Sequence, residues 1–475
     1  MNKTVKNSAI YLTGTIVMAV LGFLNTILLT RVLSQQVYAM YGLLTTFVST
    51  AGMFIAFGYD ASYMRFYYNN GYSQKKFFLM TLKVPAVVFV VFLLLVIEPT
   101  RTFITYIMGE KLSCFSIALL LLYVFFHTLH RFTQLTARME EKSLNYVVSN
   151  IMTKSGFIVV VFFIYFIIKD VSFDWVIISF VIASLAGFLI NLIVVLKNIN
   201  KVSKSQEKTT EKELLSYGFP SMINNVIILV VPLIEKIIIR DLAGWEILGI
   251  YTAAAVFQTV MLLVANTITN IWNPIVFKHC DNEEKFKPIM HNFGLVATIV
   301  VTMCMAGCVL LRRWLVLLLD ESYYTIYIIA PTILYGACLH IISLIYAVGI
   351  NIKKKTSYLV LIPVIQLVLS VVFCYLLIPN MGLVGVAIAT FISISLSKIF
   401  KMILGIHFYD SGVSEWKASA LCAAGMAASL ISLFFTSFIS DVLLSMALII
   451  VILVVVNKEL IQILKTMPVI LKGRK

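Results

Sequence analysis

Ionisable residues set into apolar runs are the side chains of this sequence with the clearest chemical potential. The stretch 235–251, EKIIIRDLAGWEILGIY, ends a long apolar run with Glu235, Lys236 and Arg240. A charge inside a hydrocarbon layer costs at least ~2.5–3.5 kcal/mol on insertion scales, so it normally pairs or lines a watery path. In such a path the cations hold anions, Arg through a bidentate fork and Lys as a compact point charge. Glu235 is a candidate for binding a coupled proton or sodium ion, or else one member of a structural Glu235–Lys236–Arg240 cluster. The stretch has an earlier counterpart, RVLSQQVYAMY at 31–41, in which Arg31 stands ten positions before Tyr41 as Arg240 stands eleven before Tyr251. Each Tyr opens a new apolar run, so the chain reads as two halves of one design, with Arg31 and Arg240 as matching outer-side arginines that form an exit or gate.

Further candidates lie between these two. Lys154 falls about eight residues, or ~12 Å, into the run that begins near Tyr146, beyond easy snorkelling, and so marks a cavity position. Asp60 and Arg65, five apart in GYDASYMRFYYNNGY, are either a local ion pair closing an inner gate or wetted interfacial charges. His127, His130 and Arg131 share a helix face by their i, i+3 and i+4 offsets, giving a cationic lining or a phosphate-facing interface. No carboxylate or cysteine stands at ligand spacing beside them, which disfavours a metal. Asn224 and Asn225 sit between Pro220 and Pro232, and the two prolines predict a bent helix of the kind that lines transport paths. Gln258, Asn266, Asn270 and Asn273 fall within about a third of a helix circumference. Amides both donate and accept, so this face suits neighbouring helices and sugar hydroxyls equally. Seven scattered cysteines include no CxxC pair, and Cys304 and Cys308, which share a helix face, read as small buried apolar residues.

The elements that position these groups are membrane helices. Of 475 residues, 61% are hydrophobic and 12% charged, with a mean hydropathy of +0.98, whereas a soluble protein carries about 25% charged residues. Apolar runs of 18 or more residues recur, each able to cross a ~30 Å hydrocarbon core as a helix, and the ten-residue alternation of a barrel is absent. We read an all-α polytopic membrane protein with about fourteen spans, near 8–31, 38–58, 77–98, 112–131, 145–168, 173–196, 214–240, 247–272, 289–311, 323–350, 356–378, 382–406, 416–435 and 439–457. An even number puts both termini on one side. Segments on that side carry 29 of the 37 Lys and Arg, so the positive-inside rule makes both termini cytoplasmic. The net charge of +15 therefore belongs to topology and not to nucleic-acid binding. A polar linker over 201–213 separates the regions 1–200 and 214–410. The last two spans, in 411–475 with a basic tail, carry few polar residues and read as lipid-facing additions. The N-terminal apolar run lacks a small-residue cleavage site and reads as a retained first span.

No GxxxxGK[ST] loop, HExxH, EF-hand or GxSxG elbow occurs, and no connection is long enough to house a catalytic domain. Transport is favoured over an enzyme; the enzyme rival, an integral-membrane polysaccharide polymerase, would show a long outer loop.

The opening TGTIVMAVLGFLNTILLTRVLSQQVYAMYGLLTTF, the later GYDASYMRF, and FPSMINNV with EKIIIRDLAGWEILGIYTAAAVFQ and IWNPIVFK resemble the Wzx-type polysaccharide flippase branch of the multidrug/oligosaccharidyl-lipid/polysaccharide (MOP) exporter superfamily. That resemblance implies two pseudo-symmetric six-helix bundles plus two C-terminal helices around a central cavity. It also implies alternating-access movement of a polyprenyl (undecaprenyl)-pyrophosphate-linked oligosaccharide across a bacterial cytoplasmic membrane, for capsule, O-antigen or exopolysaccharide synthesis. Cofactors are none, with coupling to a proton or sodium gradient or to the membrane potential. The partners are the lipid-linked oligosaccharide, membrane lipids, a polysaccharide polymerase and glycosyltransferases. A lipid II type flippase and a cation-coupled multidrug exporter of the same superfamily remain open, although the basic character of the buried candidates argues for an anionic substrate.

Overall fold

Inside hydrocarbon a backbone must satisfy its own hydrogen bonds, which leaves the helix for segments of this composition. The computed structural model of the protein is accordingly helical; it describes residues 3–95, 101–198, 200–202, 208–279, 283–353, 355, 357–409 and 415–456, less some side chains within those ranges. In order the helices are α1 (Lys3–Val32), α2 (Gln35–Ala56), α3 (Tyr59–Phe66), α4 (Gln74–Leu95), α5 (Arg101–Met108), α6 (Cys114–Met139), α7 (Ser143–Ile168), α8 (Phe173–Asn198), α9 (Glu211–His279), α10 (Glu283–Val316), α11 (Ile326–Tyr346), α12 (Val348–Ile352), α13 (Ser357–Phe408), α14 (Trp416–Phe434) and α15 (Phe438–Val456).

Among the described residues, twelve helices are long and apolar enough to cross a membrane. Two of these apolar segments, in α9 and α13, run for 49 and 52 residues, more than twice the ~20 a crossing needs. Each is broken at a glycine: Gly244 at φ 84°, ψ 177° in α9, and Gly382 at φ 53°, ψ −126° in α13. Each therefore has the length of two crossings. The departure from helical dihedrals in α9 falls at Gly244, beyond the 214–240 span, and not at Pro220 or Pro232. Proline's fixed φ fits a helix and forfeits one hydrogen bond, whereas the conformation at Gly244 is open essentially to glycine alone.

By contacts the chain forms two units, Met1–Gly249 and Ile250–Lys475, a boundary that lies downstream of the 201–213 linker. In the first unit α8 packs against α6 and α7, α1 against α7, and α2 against α6. At the end of this unit near the start of the chain, Ser143 donates to Asn7 at 3.0 Å. At this near end Tyr67 also donates to Glu140 at 2.7 Å, Lys201 pairs with Glu140, and Ser62 donates to the Leu214 carbonyl at 2.6 Å. The linker is itself docked at two points, Val202 bridging Ser73 and the Thr209 amide bonding the Asn70 carbonyl at 3.1 Å. Tyr59, Tyr63, Tyr67, Phe77, Phe132 and Leu214 form the core there. At the far end Gln36 bonds Glu110 and Arg240 bonds the Tyr106 carbonyl at 2.7 Å. The α3–α4, α6–α7 and α8–α9 connections thus gather at one end of the unit, and the α1–α2 and α5–α6 connections with the Arg240 region of α9 at the other.

The second unit keeps the same order. Tyr346, at the end of α11, donates to Glu415, just before α14, at 3.0 Å. At its other end Arg312 of α10 donates to Asp441 of α15 at 2.5 Å and to the Phe435 and Ser432 carbonyls at 2.8 and 2.6 Å. Arg312 and Asp441 are both fully buried. The pair ties the last two spans to α10, while α15 leaves Ile439, Leu443, Met446, Leu453 and Val454 exposed along its outer face. Within the unit, α14 and α15 both pack on α10, with Tyr335 of α11 donating to the Cys422 carbonyl at 2.9 Å and Ser445 to that of Ala306 at 3.0 Å. Their few polar atoms point inward, where sequence hydropathy alone does not reveal them.

Candidate functional site

The first unit places two lysines well inside its helices. Lys236 on α9 is buried, and its ammonium donates to the Gly42 carbonyl at 2.7 Å and to the Thr46 hydroxyl at 2.8 Å on α2. Gly42 lies seven residues into α2, roughly 10 Å from its far end at 1.5 Å per residue. Adjacent Glu235 is buried too. Lys154 on α7 reaches α1, where its Nζ contacts the Met18 carbonyl at 3.4 Å. Met18 is near the middle of α1, so this ammonium sits at mid-depth of the helices. No carboxylate ion pair is recorded for it among the described residues, and a neutral carbonyl compensates a full charge poorly.

Arg240, near the break in α9, has a different role. Its Nη1 donates to the Tyr106 carbonyl and to that of Ile107, at the C-terminus of α5, and its Nε and Nη2 donate to Asp241 Oδ1 at 2.8 and 2.6 Å. The guanidinium lies 5.5 Å from the Tyr106 ring centre and 5.8 Å from that of Trp245. Gly109 makes room for it: at φ +70°, a Cβ there would stand 2.8 Å from Arg240 Cδ and 2.8 Å from Trp245. Arg240 thus caps α5 and ties it to α9, with Asp241 neutralising its charge. Arg31 is exposed in the last turn of α1, so the two arginines matched in sequence occupy unlike environments.

Asp60 is buried and bound to Arg131 of α6 at 2.6 Å, while Arg65 is exposed. This departs from both readings of Asp60, which forms neither a local pair with Arg65 nor a wetted interfacial charge. The two residues lie at nearby positions of α3, but Asp60 faces α6 and Arg65 faces away. Tyr63 with Thr136 at 2.8 Å and Tyr67 with Glu140 repeat the α3–α6 register, and burial pushes the Tyr67 phenol far above its ordinary range, keeping it a donor. Asn224 Oδ1 is buried with no hydrogen-bond partner among the described residues, and Asn225 donates to Ser221 at 3.4 Å. The side chains of Asn266 and Asn270 lie outside the described residues.

The lysines of α4 enter the sequence reading only through the count of cations on the cytoplasmic side. The structure gathers Lys75, Lys76 and Lys83 with Tyr72, Thr210 and Glu211 along a near-end groove of about 660 Å³, Lys83 pairing with Glu211 at 3.0 Å. Among the described residues no three His, Cys, Asp or Glu side chains stand together as a metal would need.

This architecture has known counterparts. Over 95% of this chain and 99% of the other, it resembles a lipid II flippase, MurJ, in an inward closed conformation, with a TM-score of 0.69 at 13% identity. An inward-facing multidrug resistance MATE family transporter of the MOP superfamily matches 85% of this chain and 94% of its own, with a TM-score of 0.64 at 13% identity. A Vibrio cholerae MATE transporter matches 86% and 97%, with a TM-score of 0.56 at 13% identity. The fold is that of MOP-superfamily transporters, a multi-pass membrane architecture. The chain itself belongs to the polysaccharide biosynthesis protein family, whose family model matches residues 4–280. No curated protein matches the sequence.

Proposed function

We propose that this protein is a flippase that moves polyprenyl-pyrophosphate-linked oligosaccharide repeat units across a bacterial cytoplasmic membrane by alternating access, acting as a transporter and not as an enzyme. Membership of the polysaccharide biosynthesis family supports the substrate class, and the fold supports the mode of action. The observation that carries the reading is Lys154, an ammonium at mid-depth whose recorded hydrogen bond is to the neutral Met18 carbonyl. A diphosphate cannot enter hydrocarbon uncompensated, and a fixed cation there would hold it. With a negative cell interior, each negative charge moved outward gains about 2.3 kcal/mol per 100 mV, so the membrane potential would assist export. Glu235 is the candidate for an additional coupled proton or sodium ion. A polymerase and glycosyltransferases would stand on either side of this step, one consuming the exported unit and the others supplying it.

The test is a leaflet-translocation assay in proteoliposomes offering three fluorescent substrates: a polyprenyl-diphosphate oligosaccharide, lipid II and an organic cation. Transfer of the first at the highest rate is expected. Preferential transfer of lipid II would move the assignment to a lipid II type flippase, and transfer of the organic cation alone would overturn it in favour of a multidrug exporter.

A further inference from the structure

The far end of the first unit carries a groove that the buried lysines do not explain. It has a volume of about 610 Å³, inside the roughly 300–1,000 Å³ range of small-ligand sites. One wall is a single face of α5, on which Thr102, Thr105 and Tyr106 recur at i, i+3 and i+4, continued by Gly109 just past its end; the opposite face of α5 buries Ile104, Ile107 and Met108. The other wall is the turn at the break in α9, with Asp241 and Trp245.

Its chemistry differs from that of an anion clamp. Arg240 and Lys111 are matched by Asp241 and Glu110 around the groove, and the Arg240 guanidinium is already engaged by Asp241 and two backbone carbonyls. A diphosphate would find no net positive charge here. Instead Tyr106, 58% exposed, and the half-buried Trp245 offer aromatic surface. Asp241 Oδ1 is taken by Arg240, while its Oδ2 meets the Tyr106 hydroxyl at a long 3.4 Å and the side chain remains 38% exposed. Rings that cover the C–H face of a pyranose, beside a carboxylate and hydroxyls that pair with its O–H groups, form a site for a neutral polyhydroxylated ligand. The anchor is rigid, because Arg240 holds Asp241 and the end of α5 together and Gly109 leaves no play around it.

We propose that this groove is a saccharide-binding site, which holds the glycan by stacking on Tyr106 and Trp245 and by hydrogen bonds to Asp241 and the threonines of α5. That the glycan is the exported repeat unit, met on the outer face, rests on the flippase reading. Saccharide binding by the groove does not.

The test uses the purified full-length protein in nanodiscs on an array of lipid-free microbial oligosaccharides, so binding is read without translocation. Wild type is expected to bind a subset of glycans, with affinity lowered about tenfold or more by Tyr106→Ala and Asp241→Asn and unchanged by Trp314→Ala, which removes an exposed aromatic of α10 outside the groove. Tyr106 is exposed, so its variant should fold, and an unchanged melting temperature checks this. Absence of glycan binding by wild type, binding insensitive to Tyr106→Ala, or displacement of the glycan by inorganic pyrophosphate would each overturn the proposal. Glycan binding by a protein that fails to translocate lipid-linked sugar would sustain the groove while refuting the flippase reading.

Discussion

Lys236 illustrates how a buried charge is accommodated at the scale of one residue. Its ammonium is received by the Gly42 carbonyl and the Thr46 hydroxyl, and the same Thr46 hydroxyl bonds Gly42 at 2.9 Å without it. Removal of the lysine therefore leaves no acceptor stranded. Replacing a buried pair of charges with uncharged residues of similar volume is often neutral or stabilising by ~1–4 kcal/mol, so Glu235→Gln/Lys236→Met, which removes both adjacent buried charges, should keep or raise the melting temperature in detergent. A loss of more than about 2 kcal/mol would instead mark the two charges as a structural strut. The charged residues were legible in the sequence because their types are so rare in apolar runs. Their partners were not: Lys236 and Gly42 are 194 positions apart, and Asp60 and Arg131 are 71 apart. Asp241 escaped notice for a subtler reason, since neighbouring helix residues do not ordinarily face each other, and near the break the Arg240 side chain folds back to reach it.

Helices were the most legible elements, since an apolar run long enough to span a membrane has few other structures open to it. What ends or joins them was less so. Proline drew attention in the seventh span, but Gly244 breaks α9, and a glycine's φ cannot be read from its letter. The place of α14 and α15 was hidden for a similar reason, because one aspartate in an apolar helix does not announce its partner. The Arg312–Asp441 pair gives that place a measurable energy. Arg312→Met strands a fully buried carboxylate, with Arg313 Nε still 3.5 Å from it, and should destabilise the protein by ~3–5 kcal/mol. Thermal unfolding should then show Arg312→Met/Asp441→Leu recovering most of that loss. Equal destabilisation by the single and double variants would refute the clamp.

At the scale of the whole molecule, charge asymmetry and alternating crossings were legible because they are summed over many residues, so errors at single boundaries hardly matter. Contacts within each unit gather connections at two opposite ends. The sugar-facing chemistry was less legible, since the groove at Tyr106 and Trp245 is assembled from segments more than a hundred positions apart. The central claim is that a fixed cation at mid-depth carries a diphosphate across, and leaflet translocation of a fluorescent polyprenyl-diphosphate oligosaccharide by Lys154 variants measures it most directly. Lys154→Ala should slow transfer by about tenfold or more, equivalent to ~1.4 kcal/mol in the barrier, with an unchanged melting temperature, and Lys154→Arg should restore most of the rate. Transfer by Lys154→Ala at the wild-type rate would contradict the claim.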